Sequence, residues 1–215
     1  MVRVCFAILL VVVLLTANIL VGCTGTAEST AEWHVEQGNE LFNQGQYDEA
    51  IKNYNDAIRL KPHFAEAYNN RGFAYCTPGQ FEQAIPDFDE AIRLNPQDAK
   101  AYSNRGFAYC NLGQFEQVIQ DSNEAMRLNP QDAKAYNNRG LAYLNLGQFE
   151  RVIQDCNEAI RLDPDYAEPY YNRGLTYKEQ GKKAEAITDF EKFISLTNNP
   201  QWIEMAKQQI EELSK

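Results

Sequence analysis

From residue 31 to the C-terminus, apolar positions recur three and four residues apart, the spacing of helices that each bury one stripe. Residues 99–132 show the pattern clearly. A first helix is predicted over 100–111, with Tyr102, Gly106 and Tyr109 on one face. A second is predicted over 115–128, with Ile119, Ala125 and Leu128 in its buried stripe. Asp98 is placed to cap the first helix. Gly113 ends it, where a left-handed residue is needed. Asn129 and Pro130 stop the second, because proline has no N–H for the next helical bond and restricts the residue before it. The small residues Gly106, Ala108 and Ala125 let the two helices approach closely. One such pair cannot cover its own apolar face, so neighbouring pairs must stack.

The same pattern returns every 34 residues. Residues 99–132 and 133–166 agree at 25 of 34 positions without a gap, and the frame extends to 31–64, 65–98 and 167–200. Glycine recurs at Gly38, Gly72, Gly106, Gly140 and Gly174, and again at Gly45, Gly79, Gly113, Gly147 and Gly181. Proline closes the units at Pro62, Pro96, Pro130, Pro164 and Pro200. This period and punctuation resemble the tetratricopeptide (TPR) unit. The resemblance implies an all-α TPR solenoid of five helix–turn–helix units, with boundaries 31–64, 65–98, 99–132, 133–166 and 167–200. Residues 201–215 then form a capping helix with Trp202, Ala206, Ile210 and Leu213 on one face, and Trp202 reads as a packing residue. Pro86 falls inside the second helix of unit two, where a kink near Asp87 is predicted.

Two substitutions travel together. Residue seven of units two to five is Arg71, Arg105, Arg139 and Arg173, and residue 23 is Asp87, Asp121, Asp155 and Asp189. Unit one replaces both, with Gln37 and Asn53. Joint loss predicts a contact between the two helices of a unit, since a guanidinium fork matches a carboxylate bidentately. The competing reading is four arginines facing an anionic ligand.

In the TPR family residue six lines the concave face of the superhelix. Here it is Asn70, Asn104, Asn138 and Asn172, with Glu36 in unit one. Side-chain amides both donate and accept, so a rail of them can hold an extended peptide backbone. Residue nine shares that face and reads Phe73, Phe107, Leu141 and Leu175. Lys100 and Lys134 at residue two give the groove a positive centre. The alternatives are a solvated polar edge for the asparagines and burial between adjacent helices for the apolar set. Some TPR domains clamp a terminal carboxylate with lysines and asparagines. Only Asn39, Asn70 and Lys100 match that set, while Val35 and Asn104 occupy the other places, so C-terminal capture is not predicted.

The first 22 residues are of another kind. Arg3 is their only charge, and the run from Val4 to Val21 is almost wholly apolar, as in an export signal. The run ends in Leu20, Val21, Gly22 and Cys23, which resembles the lipobox of bacterial lipoproteins. That resemblance implies a signal peptide over 1–22, cleavage before Cys23 and lipid on its sulfur. An uncleaved membrane anchor is the alternative. Residues 23–30 become a tether, whose seven residues after the cysteine reach about 25 Å at full stretch. Thr24 leans, by the same analogy, toward an outer-membrane address facing the periplasm.

Charge and chemistry narrow the function. The formal net charge is -10, and -11 (19 minus 30) without Arg3, which argues against nucleic acid as a partner. No Gly-rich phosphate loop and no His or Cys metal pattern occurs in the sequence, so neither an enzyme nor a cofactor is predicted. Cys76 and Cys110 are equivalent residues of adjacent units and read as free thiols, because packed helices stand too far apart for a disulfide. Two classes of function remain. One is an envelope scaffold that binds peptides or proteins in its groove. The other is a subunit of an envelope assembly (pilus, outer-membrane or division machinery) that packs through its outer face or its ends, with self-association possible.

Overall fold

The structure, a computed structural model, describes residues 30–215; the predicted signal over 1–22 and the predicted lipid site Cys23 lie outside the described residues. Among the described residues no helix is long and apolar enough to cross a membrane.

Five helix pairs follow in chain order: α1 (Ala31–Asn43) with α2 (Tyr47–Leu60), α3 (Ala65–Cys76) with α4 (Phe81–Leu94), α5 (Ala99–Asn111) with α6 (Phe115–Leu128), α7 (Ala133–Asn145) with α8 (Phe149–Leu162), and α9 (Glu168–Glu179) with α10 (Lys183–Leu196). A last helix, α11 (Pro200–Ser214), packs on α10. The turn inside each pair has one construction. Gly45, Gly79, Gly113, Gly147 and Gly181 take φ between 70° and 85°, which a side chain would resist. The next residue's N–H then reaches back to a helix carbonyl, as from Gln114 to Tyr109 and Gln148 to Tyr143, at 2.9 and 2.8 Å. Asp98 and Asp132 accept from the N–H groups of Lys100 and Lys134, capping α5 and α7 as the pattern predicts for Asp98.

The buried stripe of the second helices differs in detail from the predicted one. Ala125 is fully buried, but Ile119 and Leu128 are only partly covered. Val118 and Ser122 take the innermost seats of α6. Residue 24 decides how each pair closes. Tyr54, Phe88 and Phe190 fill the space against Gly38, Gly72 and Gly174, whereas Ser122 and Cys156 leave room beside Gly106 and Gly140. All five of these residue-24 side chains are nearly or fully buried.

The arginine–aspartate pairing forms in each of units two to five. Arg139 donates from Nε and Nη2 to the two carboxylate oxygens of Asp155 at 2.8 and 2.7 Å. Arg71–Asp87, Arg105–Asp121 and Arg173–Asp189 repeat the fork. The hydrogen-bonded aspartate holds the guanidiniums of Arg71, Arg139 and Arg173 above the ordinary arginine range. The third nitrogen reaches residue 25 of the preceding unit: Arg71 to Asn55, Arg105 to Asp89, Arg139 to Asn123 and Arg173 to Asn157. Tyrosines three before and four after the arginine flank it, as Tyr102 and Tyr109 do around Arg105, each 5.8 Å from the guanidinium. Each arginine therefore ties one unit's two helices together and fastens them to the unit before. In unit one Gln37 turns to Glu40 and Asn53 to the Glu49 carbonyl, so no charge is stranded there.

α4 runs without interruption through Pro86, with the same 14 residues as α2 and α6. α11 closes the array through Ala206 and Leu213, and Lys178 reaches Gln209 and Glu212 on it. Trp202 departs from its predicted packing role. Its ring is 6.3 Å from that of Phe193, but 41% of the residue is exposed, because Ala206 and Leu213 hold the buried positions.

Candidate functional site

The first helices of successive units lie side by side, and residues five, six, nine and twelve face one concavity. Two cavities occupy it. One, of about 470 Å³, runs from Phe73 and Phe81 past Asn104 to Lys134. The other, of about 550 Å³, is walled by α5, α7, α9 and the Trp202 end of α11. Phe107, Asn138, Tyr166 and Glu168 line both, so the two form one continuous groove. Phe107 is 39% exposed at the junction, with its ring 6.0 Å from that of Phe81. A large apolar side chain left in a concave wall, ringed by polar groups, marks a binding surface.

Of the predicted groove residues, Phe73, Phe107, Leu141, Asn104, Asn138, Asn172 and Lys134 line the cavities. Asn70, Lys100 and Leu175 line neither. Lys100 is exposed elsewhere. Leu175 packs on the core cluster that includes Ala206 and Leu213 of α11, because the lid on the last unit closes that cluster. Asn70 donates to Asn39 Oδ1 at 3.0 Å.

The other rail asparagines behave alike. Asn104 donates to Asn69 Oδ1, Asn138 to the Ser103 backbone carbonyl and Asn172 to Asn137 Oδ1, at 2.9–3.1 Å. Asn138 and Asn172 are buried. The rail is thus a set of bonds between consecutive first helices. Each amide gives one of its two N–H groups to the neighbouring unit, and its second N–H and its carbonyl oxygen make no bond within the described residues. The reason is position: residue six sits at the seam where adjacent helices meet, on the edge of the concave face.

Several lining residues carry no repeat signal. Tyr166 is residue 34 of unit four, where other units have Phe64, Asp98, Asp132 and Pro200. Its hydroxyl accepts from Asn137 Nδ2 at 3.1 Å, and burial raises its phenol above the ordinary range. Glu168 is the exception, since it repeats Glu32 and Glu66 of units one and two and differs only from the lysines of units three and four. Tyr171 stacks at 5.0 Å on Phe193, which continues to Trp202. An aromatic at residue five of the last unit and a tryptophan just past it were the only available hints. Cys110 lines the larger cavity, and burial pushes its thiol up to about 11; Cys76 and Cys156, more deeply covered, reach about 12. All three are free, as predicted for Cys76 and Cys110. Among the described residues no group of three or more His, Cys, Asp or Glu side chains is arranged to hold a metal ion.

Comparison with known proteins agrees with the repeated helix-pair fold. A family profile described as TPR repeat matches residues 38–77, 74–113 and 108–147. Two described as tetratricopeptide repeat match 133–166 and 156–188. The Hsp70-Hsp90 organizing protein of Triticum aestivum is 55% identical over 40 residues, which are 19% of this chain and 7% of that protein. The match thus spans only a small part of the curated relative. A thermophilic TPR protein of Thermus thermophilus superposes with a TM-score of 0.72 at 20% identity, over 84% of this chain and 99% of its own. YrrB, described as a TPR protein with an unusual peptide-binding site, gives a TM-score of 0.60 at 22% identity, over 81% and 90%. With a repeat profile running through more than half its length on a solenoid of paired helices, the chain belongs to the tetratricopeptide repeat family.

Proposed function

We propose that this chain is a lipid-anchored scaffold of the cell envelope that holds an extended segment of a partner protein along its concave face. The observation that carries the reading is the continuous groove through Phe107, with exposed rings at its centre and at the Trp202 end. Peptide binding by YrrB and the organising role in the name of the wheat relative support it by analogy. The anchor rests on the apolar run before Cys23, and the outer-membrane address on Thr24. No catalytic role or cofactor is proposed.

The test is capture of partners from detergent-solubilised envelope by the full chain and two variants, Phe107→Ala and the helix-surface pair Arg127→Glu with Arg161→Glu. Loss of an aromatic anchor weakens binding by about 2 kcal/mol or more. The reading expects Phe107→Ala to lose the bound partners with helicity unchanged, and the surface variant to keep them. The reverse pattern would make the chain an assembly subunit that works through its outer face. Lipid labelling addresses the anchor separately: Cys23→Ser should abolish it and leave a longer precursor, and labelling that persists would remove the lipoprotein reading.

A further inference from the structure

The larger cavity has an unbalanced chemistry. Among the residues that line it, Glu168 is the only Asp, Glu, Lys, Arg or His. Its carboxylate is half-buried at the start of α9, close enough to Tyr166 to help raise that phenol. Among the described residues Glu168 enters no salt bridge, although Lys134 lines the adjoining cavity.

The neutral polar groups add oxygen acceptors to it. Asn111 and Asn145 donate their amide nitrogens to the backbone carbonyls of Phe107 and Leu141, both at 2.9 Å, and Asn138 donates to that of Ser103. A backbone carbonyl can only accept, so the orientation of these three amides is fixed by chemistry. Their side-chain oxygens are left without a protein donor. Beside the second N–H of each amide and the Tyr166 O–H, the cavity thus offers acceptors, one of them a full negative charge, between the rings of Phe107, Tyr171 and Trp202. Carboxylate and amide oxygens set among aromatic faces suit a cation, whose charge the rings also attract. The chain as a whole is acidic, with a net charge of -10, so a basic segment would also be drawn toward it.

We propose that this cavity receives a lysine or arginine side chain of the partner segment, and that Glu168 and Trp202 select it. The inference rests on the groove reading and adds to it the charge of the partner.

The experiment uses four capped, fluorescein-labelled nonapeptides of Ala, Gly and one Phe, identical except for one position that holds Arg, Lys, Gln or Glu. Binding to the chain lacking residues 1–22, with Ser at position 23, is followed by fluorescence anisotropy at low and high salt. The expected result is an Arg or Lys peptide bound about tenfold more tightly than the Gln peptide, with the Glu peptide weakest. The preference should shrink at high salt. Glu168→Gln should remove most of it. In a Trp33→Phe background Trp202 is the only remaining tryptophan of the described chain, and its emission should shift on adding the Arg peptide. Equal binding of all four peptides, or a preference that survives Glu168→Gln, would overturn the basic pocket and leave the groove standing. If none of the four binds, the groove reading falls and takes the pocket with it.

Discussion

In unit two the helix pair closes with the Phe88 ring lying flat against Gly72. A methyl group added at Gly72 would stand 2.8 Å from Cε1, 3.0 Å from Cδ1 and 3.1 Å from Cζ of that ring. Ordinary carbon contacts begin near ~3.5 Å, so the ring would have to move by several tenths of an ångström. Phe88 is fully buried and has nowhere open to go. Overpacking of this kind costs about 1–3 kcal/mol. Alanine recovers about 1 kcal/mol of helix propensity over glycine, which leaves Gly72→Ala neutral at best and destabilised by about 2 kcal/mol at worst. Unit three has the same glycine but a serine at residue 24. A methyl at Gly106 would meet Asp121 Cβ at 3.6 Å and Ser122 Oγ at 3.7 Å, which are comfortable distances. Only the helix-propensity gain remains, so Gly106→Ala should stabilise by about 0.4–1 kcal/mol. For a domain of this size 1 kcal/mol moves Tm by about 2–4 °C. Thermal unfolding followed by circular dichroism should therefore place Gly106→Ala above the parent chain and Gly72→Ala below it. Because repeat arrays can unfold unit by unit, amide exchange in α3 and α5 should be read alongside. If both substitutions lower stability alike, the glycine is needed for more than clearance of residue 24, and the steric argument fails.

Three further outcomes follow from the same contacts. Asp155→Ala strands the Arg139 guanidinium, only 22% exposed, and should cost about 3–5 kcal/mol, while Arg139→Gln with Asp155→Asn, the residues of unit one, should recover most of it in urea unfolding. Iodoacetamide at pH 8 should alkylate Cys110 well before the more deeply buried Cys76 and Cys156, and a bound groove peptide should slow it; mass mapping would show the order. Pro86 removes one backbone bond from α4, so amides over residues 80–90 should exchange faster than those over 114–124, and equal protection would mean the helix has absorbed the proline.

How much of this was readable from the chain depends on the range over which each residue acts. The glycine turns, the helix limits and the Arg–Asp forks are contacts within one 34-residue unit. Each of them leaves a mark repeated four or five times, and unit one supplies the control by losing Arg and Asp together. The groove is made between units, and there periodicity misleads as often as it helps. Asn104 and Asn138 share a helical face with Phe107 and Leu141, and a helical projection cannot say that residue six lies at the seam between helices while residue nine lies clear of it. Leu175 repeats the position of Leu141 and is equally half-buried, but it packs on the core cluster that α11 closes, whereas Leu141 lines the groove.

The residues that give the groove its character are those that break the repeat. Tyr166, Tyr171 and Trp202 sit where the other units have something else or where the repeat has ended, while Glu168 shares its residue type with Glu32 and Glu66 and departs only from the lysines of units three and four. A repeated residue is constrained by the stacking that every unit shares, so it reports on the architecture. An unrepeated one at a concave position is free of that constraint, and its chemistry can follow a ligand instead. The clustering of Tyr166, Tyr171 and Trp202 toward one end of the array, around Glu168, the single carboxylate of the larger cavity, gives the groove a direction. Its Phe73 end, where Phe81 also lies, is apolar, and there Lys134 faces Glu168, which lines both cavities. Its Trp202 end is aromatic and holds no lysine or arginine to oppose Glu168 at the junction, so a bound segment should lie in one polarity, basic residue on the α11 side of Lys134. Labelling one peptide terminus and measuring its proximity to Trp202 would read that polarity directly, and a segment found in both orientations would mean that the end residues do not select.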